Sequence, residues 1–91
     1  MLILVQIDIS QADLGLFDDY EAQVLALLPK YGATLHERLR TTDGRGEVHL
    51  LDFPDRDALK AFRADPVRAG LQDAWRRSGA ASVVTEVVRL G

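Results

Sequence analysis

The feature of the sequence that most restricts the fold is a pair of alternating segments, 33–40 and 47–53, joined by the short loop TTDGRG. Asp43 and Gly44 in this loop are typical of a tight β-hairpin, because both tolerate the backbone conformations that such turns need. The two segments are therefore predicted to be neighbouring antiparallel strands. All other elements of the chain have to be arranged around this hairpin.

A two-residue turn in this loop also predicts the register of the hairpin. It pairs Arg40 with Glu47, Arg38 with His49, and His36 with Leu51, whereas a four-residue loop would slide the register by two and leave the faces unchanged. Side chains alternate across a strand, so the polar side chains of the first strand are predicted to share one face. They are Thr34, His36, Arg38 and Arg40, opposite Leu35 and Leu39.

The segment before the hairpin predicts a strand followed by a helix. Residues 2–9 are apolar on both faces at their start, which suggests a central strand. Apolar side chains then recur at helical spacing from about Leu16 to Tyr31, and Gly32 follows as a stop signal. Pro29 lacks a backbone N–H, so a kink or a loosened last turn is expected there.

The segment after the hairpin predicts a helix and a final strand. The helical region opens at Pro54, and Asp65 and Pro66 resemble an N-cap and first position of a further turn. Gly79 ends this region, and residues 82–90 are the last strand. The order is βαββαβ, an α+β, ferredoxin-like arrangement with an antiparallel sheet in the order 4-1-3-2 and both helices on one side.

This topology leaves one face of the sheet without helices. The side predicted to be covered carries Ile3, Val5, Leu35, Leu39, Val48 and Leu50. The uncovered side is predicted to carry Leu2, Leu4, Gln6, His36, Arg38, His49, Leu51 and Phe53. The sequence leaves the faces of the last strand open. Apolar groups on an uncovered face usually mark an interaction site, and a chain of 91 residues has only a small core of its own.

Composition excludes several classes of function. The chain is expected to be one domain, residues 1–91, with 47% hydrophobic and 27% charged residues, as in ordinary globular proteins. It has no cysteine, which excludes disulfides and thiolate chemistry, and its net charge of -3 disfavours binding to nucleic acid. The opening MLILVQIDIS has no basic region or cleavage site and predicts a strand rather than a signal peptide. A cytoplasmic protein without a membrane span is expected.

The chain resembles the small dimeric α/β-barrel proteins. This superfamily includes antibiotic-biosynthesis and haem-degrading monooxygenases, muconolactone isomerases and small bacterial domains of unknown function. The resemblance is carried by YEAQVLALLPKYGATLHER, with Tyr20, Val24, Tyr31, Gly32 and Arg38 in corresponding places, and by FPDRDALKAFRADP. One departure is Arg68, where these relatives commonly carry an aromatic residue. The resemblance implies a homodimer in which two sheets face each other and the uncovered faces line a shared cleft.

Four polar residues are predicted to bind a ligand in that cleft: Gln6, His36, Arg38 and His49. With apolar walls from Leu4, Leu51 and Phe53, they suit a flat, partly anionic organic molecule. Arg38 would hold a carboxylate or enolate, and a histidine titrating near neutrality would move a proton. Oxygenation or isomerisation of an enolisable, polyketide-like substrate without a cofactor is one hypothesis for the function.

The main alternative is a dimeric regulatory or structural module without catalysis. Under that hypothesis Arg40 and Glu47 are an ordinary cross-strand ion pair, Arg38 bridges to the partner chain, and the histidines fill a half-buried sheet. No metal is expected, since Arg38 would lie beside His36 and His49 and disfavour a second cation. No haem is expected either, because both histidines lie on strands. RNA binding is disfavoured because the uncovered face lacks aromatic residues on its central strands.

Overall fold

A computed structural model describes all residues, 1–91, and shows a four-stranded antiparallel sheet with helices packed on one side. The strands are β1 (Leu2–Asp8), β2 (Thr34–Arg40), β3 (Gly46–Asp52) and β4 (Ala81–Val87). The helices are α1 (Leu14–Leu25), α2 (Arg56–Arg63), α3 (Pro66–Gly70) and α4 (Gln72–Ser78), with a 3-10 turn at Leu28–Tyr31. The strand order β2-β3-β1-β4 confirms the predicted order 4-1-3-2 and the ferredoxin-like topology.

The ends of the helices follow the local signals of the sequence. The helix α1 ends at Leu25, and Pro29 lies in the separate 3-10 turn, which confirms the predicted interruption. Gly32 and Gly79 both have left-handed backbone conformations, with φ of 67° and 80°, and close the elements before them. Asp65 caps α3 and Pro66 is its first residue, as predicted.

The core lies between the sheet and the helices. Its apolar side chains come from β1, β3, α1 and α2, and they are joined by tilted aromatic contacts, such as the ring of Phe53 5.5 Å from that of Phe62. Phe17 and Tyr20 of α1 both contact Trp75 of α4, with ring centroids 6.4 and 5.1 Å apart. Aromatic packing of this kind joins α1 to α4 and lets both helices cover β1.

The structure corrects the predicted faces of β3. Val5 pairs with His49 and Ile3 pairs with Leu51, so the buried side of β3 carries His49, Leu51, Phe53 and Glu47. Val48 and Leu50, predicted to be covered, lie on the face without helices, called the open face below. The hairpin pairs Arg38–His49 and Arg40–Glu47 were predicted correctly, but this part of the hairpin was assigned to the wrong side of the sheet. Burial of Phe53 and Leu51 favours this side, and the polar groups beside them are hydrogen-bonded.

A β-bulge in β2 corrects the second prediction about faces. Arg40 pairs with Glu47 and Arg38 with His49, as predicted, but Leu35 rather than His36 is opposite Leu51. The register shifts between Leu35 and Glu37, so one extra residue is accommodated there. The four polar side chains of β2 therefore do not share one face. Thr34 and His36 lie on the open face, whereas Arg38 and Arg40 lie on the helix side.

The structure also resolves the faces of β4, which the sequence left open. Pairing with β1 places Val83, Thr85 and Val87 on the open face and Ser82, Val84 and Glu86 on the helix side. The strand ends at Val87, three residues earlier than predicted. None of the helices is long and apolar enough to cross a membrane.

Candidate functional site

A cavity of about 160 Å³ lies between the sheet and the helices. Most of its 18 lining residues are hydrophobic, among them Val5, Leu51, Phe53, Phe62 and Trp75. The polar side chains that reach it include Glu21, His49, Arg68 and Gln72. An apolar enclosure with a few convergent polar groups is the usual form of a small-molecule site. We call this space the helix-side cavity.

Glu21 is a buried acid in the wall of the cavity. It lies on the inner stripe of α1, between Phe17 and Val24, so the helix itself turns its side chain inwards. Only 5% of the residue is exposed, and no group of the chain hydrogen-bonds to its carboxyl group. Burial is the main cause that raises the pKa of Glu21 to about 7, and the nearby charge of Glu47 raises it further. Both forms of the acid are therefore populated near neutral pH.

Arg68 provides a cation at the same cavity. Its guanidinium carbon lies 5.3 Å from the centre of the Phe62 ring, and one terminal nitrogen donates to the carbonyl oxygen of Arg63 at 3.3 Å. Its Nε is buried and has no hydrogen-bond acceptor. A buried donor without a partner is costly in a folded protein, which makes this atom a place where a ligand oxygen would be stabilised.

The position of Arg68 is fixed by Asp65, the N-cap of α3. One carboxylate oxygen of Asp65 accepts the backbone N–H of Val67 at 2.8 Å. The other accepts from Lys30 Nζ at 2.9 Å and from the hydroxyl group of Tyr31. The hydrogen bonds from Tyr31 and Lys30 hold the pKa of Asp65 far below its usual range, so it is a carboxylate at all ordinary pH values. This anchor joins the start of α3 to the 3-10 turn.

Glu47 and His49 form a buried pair at one end of the cavity region. His49 Nε2 lies 2.5 Å from a carboxylate oxygen of Glu47, and only 2% of each residue is exposed. Burial outweighs the hydrogen bond and lowers the pKa of His49, so the ring is neutral at pH 7 and donates its Nε2–H. Burial alone would raise the pKa of Glu47, but hydrogen bonds from His49, Arg40 and Arg38 together lower it. Burial therefore disfavours the protonated form of His49.

Arg38 and Arg40 close the outer side of this pair. Arg38 Nε donates to Glu47 at 3.0 Å, and Arg40 Nη2 donates to the other oxygen of Glu47 at 2.7 Å. Both guanidinium groups also approach Asp18 of α1, at 3.5 and 3.0 Å. The pair of Arg40 with Glu47 was predicted as an ordinary cross-strand ion pair, and the structure shows that its acid is buried. This network connects the edge strand β2 to α1 and satisfies Glu47 completely.

The four residues predicted to bind a ligand are separated by the sheet. Gln6 is exposed on the open face, and His36 lies there too, with Nε2 3.2 Å from a carboxylate oxygen of Asp52. Arg38 and His49 lie on the helix side, where His49 lines the cavity. The prediction of one shared face was wrong because of the bulge and the orientation of β3. A ligand-binding role for each residue stays a prediction.

The placement of the histidines also bears on the metal hypothesis. His36 and His49 point to opposite sides of the sheet, so they cannot ligate the same ion with Glu47. No group of three or more histidine, cysteine or acidic side chains is arranged to hold a metal ion.

Two residues of the site were missed from the sequence. Glu21 was not among the residues predicted for the site, although its spacing from Phe17 and Val24 places it within the apolar stripe. That spacing was the signal that could have found it. Arg68 was noted only as a departure from an aromatic position, and the structure shows that the replacement brings a charge to the cavity.

Solved structures share this fold over almost the whole chain. SnoaB, a cofactor-independent oxygenase from Streptomyces nogalater, matches with a TM-score of 0.74 at 20% identity, covering 98% of this chain and 94% of that one. A dimeric ferredoxin-like protein of unknown function from Jannaschia sp. CCS1 matches with a TM-score of 0.69 at 17% identity, covering 96% and 100%. A structure described as an antibiotic biosynthesis monooxygenase has a TM-score of 0.59 at 18% identity, covering 98% and 100%.

These likenesses confirm the resemblance that the sequence suggested at the level of the fold. The chain has the ferredoxin-like fold of antibiotic-biosynthesis-monooxygenase-type proteins and of dimeric ferredoxin-like proteins. No protein-family model matches the sequence, and no curated protein matches it.

Proposed function

We propose that the chain binds a small, enolisable or weakly acidic organic molecule in the helix-side cavity and acts on it without a cofactor. The observation that carries the proposal is the cavity itself, in which apolar walls surround a buried acid without a partner and a buried donor without an acceptor. Such groups are costly in an empty site and become useful when a polar molecule occupies it. Shared fold with a cofactor-independent oxygenase is consistent with this chemistry.

Two reactions of an activated substrate need no bound cofactor. In both, the C–H bond next to a carbonyl group breaks and the proton is removed. The electron pair of that bond stays on the substrate and is shared with the carbonyl oxygen as an enolate. Where the substrate also has a carbon–carbon double bond conjugated with the enolate, return of the proton to the far carbon of that double bond gives an isomer. Alternatively, the carbanion reacts with molecular oxygen, the oxidant, and the CH₂ group plus O₂ become C=O plus water. The first reaction requires only residues of the chain, and the second requires dissolved oxygen as co-substrate.

Ligand-dependent stabilisation tests the binding part of the proposal. Melting curves would be measured with single-ring ketones, phenols and aromatic acids, including cyclohexanone and 1,3-cyclohexanedione. A ligand at about 100 times its dissociation constant adds about 2.7 kcal/mol to the free energy of unfolding. Val84→Trp would fill the cavity, because Val84 lines it. Val67→Trp is the control, because Val67 lies outside the cavity and is 50% exposed, close to the 46% of Val84. The proposal is supported if a ligand stabilises the wild type and Val67→Trp but not Val84→Trp. It is contradicted if no compound of the panel changes the melting of the wild type.

The proposal includes a homodimer formed through the open face. Leu39 and Val83 are 55% and 62% exposed there, beside the partly exposed Leu4 and Leu50. Pairing of two such faces would remove apolar surface from water, and one protein of this fold is described as dimeric. Because the cavity lies on the other side of the sheet, the dimer is not required to complete its walls. A single domain over residues 1–91 and a cytoplasmic location belong to the same proposal.

Sedimentation equilibrium at micromolar concentration tests the dimer. Leu39→Arg is expected to shift the protein towards the monomer, since the charge would be buried between the two sheets. Leu16→Arg is the matched control, because Leu16 is an exposed leucine of α1, away from the sheet. A wild-type protein that sediments as a monomer, or equal effects of the two changes, would refute pairing through the open face.

A further inference from the structure

The polar groups in and beside the helix-side cavity differ in how far their hydrogen bonds are satisfied. Glu47 and His49 satisfy each other and receive two arginines, so they have little capacity left for a ligand. Glu21 and Arg68 are different, because the carboxyl group of Glu21 has no hydrogen bond and the Nε of Arg68 has no acceptor. Glu21 is therefore a buried acid without a hydrogen bond, the Nε of Arg68 is a buried donor without an acceptor, and both residues line the same cavity.

The size of the cavity limits what could use these groups. A cavity of about 150 Å³ is large enough to hold benzene, whereas sites for drug-sized molecules span about 300 to 1,000 Å³. The helix-side cavity has about 160 Å³. It therefore accommodates one six-membered ring, and the fused rings of a polyketide-like molecule would not fit within it. This narrows the substrate class that the sequence suggested.

We infer that Glu21 and Arg68 are the reacting groups of the cavity and that they act on a single-ring carbonyl compound. Glu21, as a carboxylate, removes a proton from the carbon next to the carbonyl group. Arg68 Nε–H donates to the carbonyl oxygen. This inference rests on the proposed function, and it assigns the chemistry to two residues of α1 and α3 rather than to the histidines of the sheet.

The step balances within the site. The C–H bond breaks, its proton forms an O–H bond with Glu21, and its electron pair becomes the carbon–carbon double bond of an enolate. The carbonyl oxygen gains the negative charge and is stabilised by the donor at Arg68. Return of the proton from Glu21 to the same carbon regenerates the carboxylate and the carbonyl compound, which is how hydrogen is exchanged. No oxidant or reductant takes part in this exchange.

The surroundings of Glu21 suit it to this role. Groups that act on its charge come from several elements: Asp18 and Tyr20 on α1, Arg38 on β2, Glu47 with its partner His49 on β3, and Arg68 on α3. None of them forms a hydrogen bond with it. A base that changes its protonation near the working pH exchanges protons most effectively, and here burial brings the acid to that range.

Exchange of hydrogen for deuterium tests the inference directly. Cyclohexanone would be incubated with the protein in D₂O, and loss of its α-proton signal would be followed by NMR. Wild-type protein is expected to accelerate the exchange, with a rate that rises with pH and levels above a midpoint of about 7. Glu21→Gln should reduce the protein-dependent rate at least about 100-fold and abolish the midpoint. Arg68→Met should reduce the rate by about 100-fold and move the midpoint to higher pH, because the charge of Arg68 lowers the pKa of Glu21.

Matched controls separate the chemistry from folding and binding. Glu86→Gln and Arg77→Met change exposed charges outside the cavity and should leave the exchange rate unchanged. Saturation-transfer NMR in the same samples would report whether cyclohexanone binds to each variant, and circular dichroism would report the fold. Binding to folded Glu21→Gln with a wild-type exchange rate overturns the inference and leaves the proposed function standing. If neither cyclohexanone nor 1,3-cyclohexanedione binds to the wild type, the inferred class of single-ring carbonyl substrates is wrong. The proposed function is then tested separately by whether the phenols and aromatic acids raise the melting temperature.

Discussion

Replacement of Glu21 by glutamine should make the protein more stable at high pH. The folded protein holds a proton on this buried acid up to a higher pH than the unfolded chain does. Between the ordinary pKa of 4.5 and the raised value of about 7, the folded state therefore binds more protons, and its free energy of unfolding falls as pH rises. Glutamine has nearly the same shape and no charge, so the variant loses this dependence.

The magnitude follows from the pKa values. A rise from 4.5 to about 7, at about 1.4 kcal/mol per pKa unit, corresponds to about 3 kcal/mol of ionisation cost. At pH 4 the acid is protonated in both states, so wild type and variant should differ little. At pH 8 the variant should be more stable by about 3 kcal/mol, which is a large share of the stability of a small domain.

Urea unfolding at fixed protein concentration, from pH 4 to pH 8, measures this difference. Other titrating groups are shared by the two proteins, so the difference between the two curves isolates Glu21. Glu86→Gln provides the control, because that acid is exposed and pairs with Arg56 on the surface. A difference between wild type and Glu21→Gln that is the same at pH 4 and pH 8 would refute the assignment of Glu21 as a buried acid without a partner.

Four further substitutions should alter the free energy of unfolding in urea. Gly79→Ala should cost about 2 to 3 kcal/mol, whereas Gly44→Ala should cost only about 1 kcal/mol. Both glycines have positive φ, but a Cβ at Gly79 would also lie 3.0 Å from a backbone oxygen. Equal costs of the two substitutions would contradict this explanation. Glu47→Ala should cost about 3 kcal/mol or more, since a buried histidine and two arginines lose their acceptor, and a cost below about 1 kcal/mol would show that the network is solvated. Asp65→Asn should cost about 2 kcal/mol, and this cost should be undiminished at pH 4. The reason is that the hydrogen bond from Tyr31 keeps Asp65 ionised until the pH falls well below 3.8. A cost that vanishes between pH 7 and pH 4 would contradict the lowered pKa.

The elements of the fold were predictable because their signals are local. The stop at Gly79 and the cap at Asp65 each act within a few residues, and the structure uses them as expected. Gly44 also turns the hairpin loop with a positive φ, but the turn that closes there begins at Thr41, so it is not the two-residue turn that was predicted. The pairing of Arg40 with Glu47 was also found, since a short loop restricts the register of the strands that it joins. These signals were sufficient for the order of the elements and of the strands.

The faces of the hairpin were not predictable in the same way. Both sides of β3 carry apolar groups, so alternation alone could not choose between Leu50 and Leu51 as the buried residue. The choice depends on pairing with β1 and on whether buried polar side chains find partners, as His49 does with Glu47. The bulge at His36 likewise has no local signal. The four residues predicted to bind a ligand were therefore placed on one face although the sheet separates them, and of these His49 lines the cavity.

The bulge also determines which edge of the sheet can accept another strand. The free edges are β2 and β4. The ladder of β2 is broken at His36, and charged side chains follow, two features that discourage edge-to-edge addition. The edge at β4 is unbroken from Ala81 to Val87 and valine-rich. An extended chain that pairs with the edge of this sheet would therefore add to β4. Charged side chains introduced along β4 are accordingly the substitutions that would best protect the protein against aggregation.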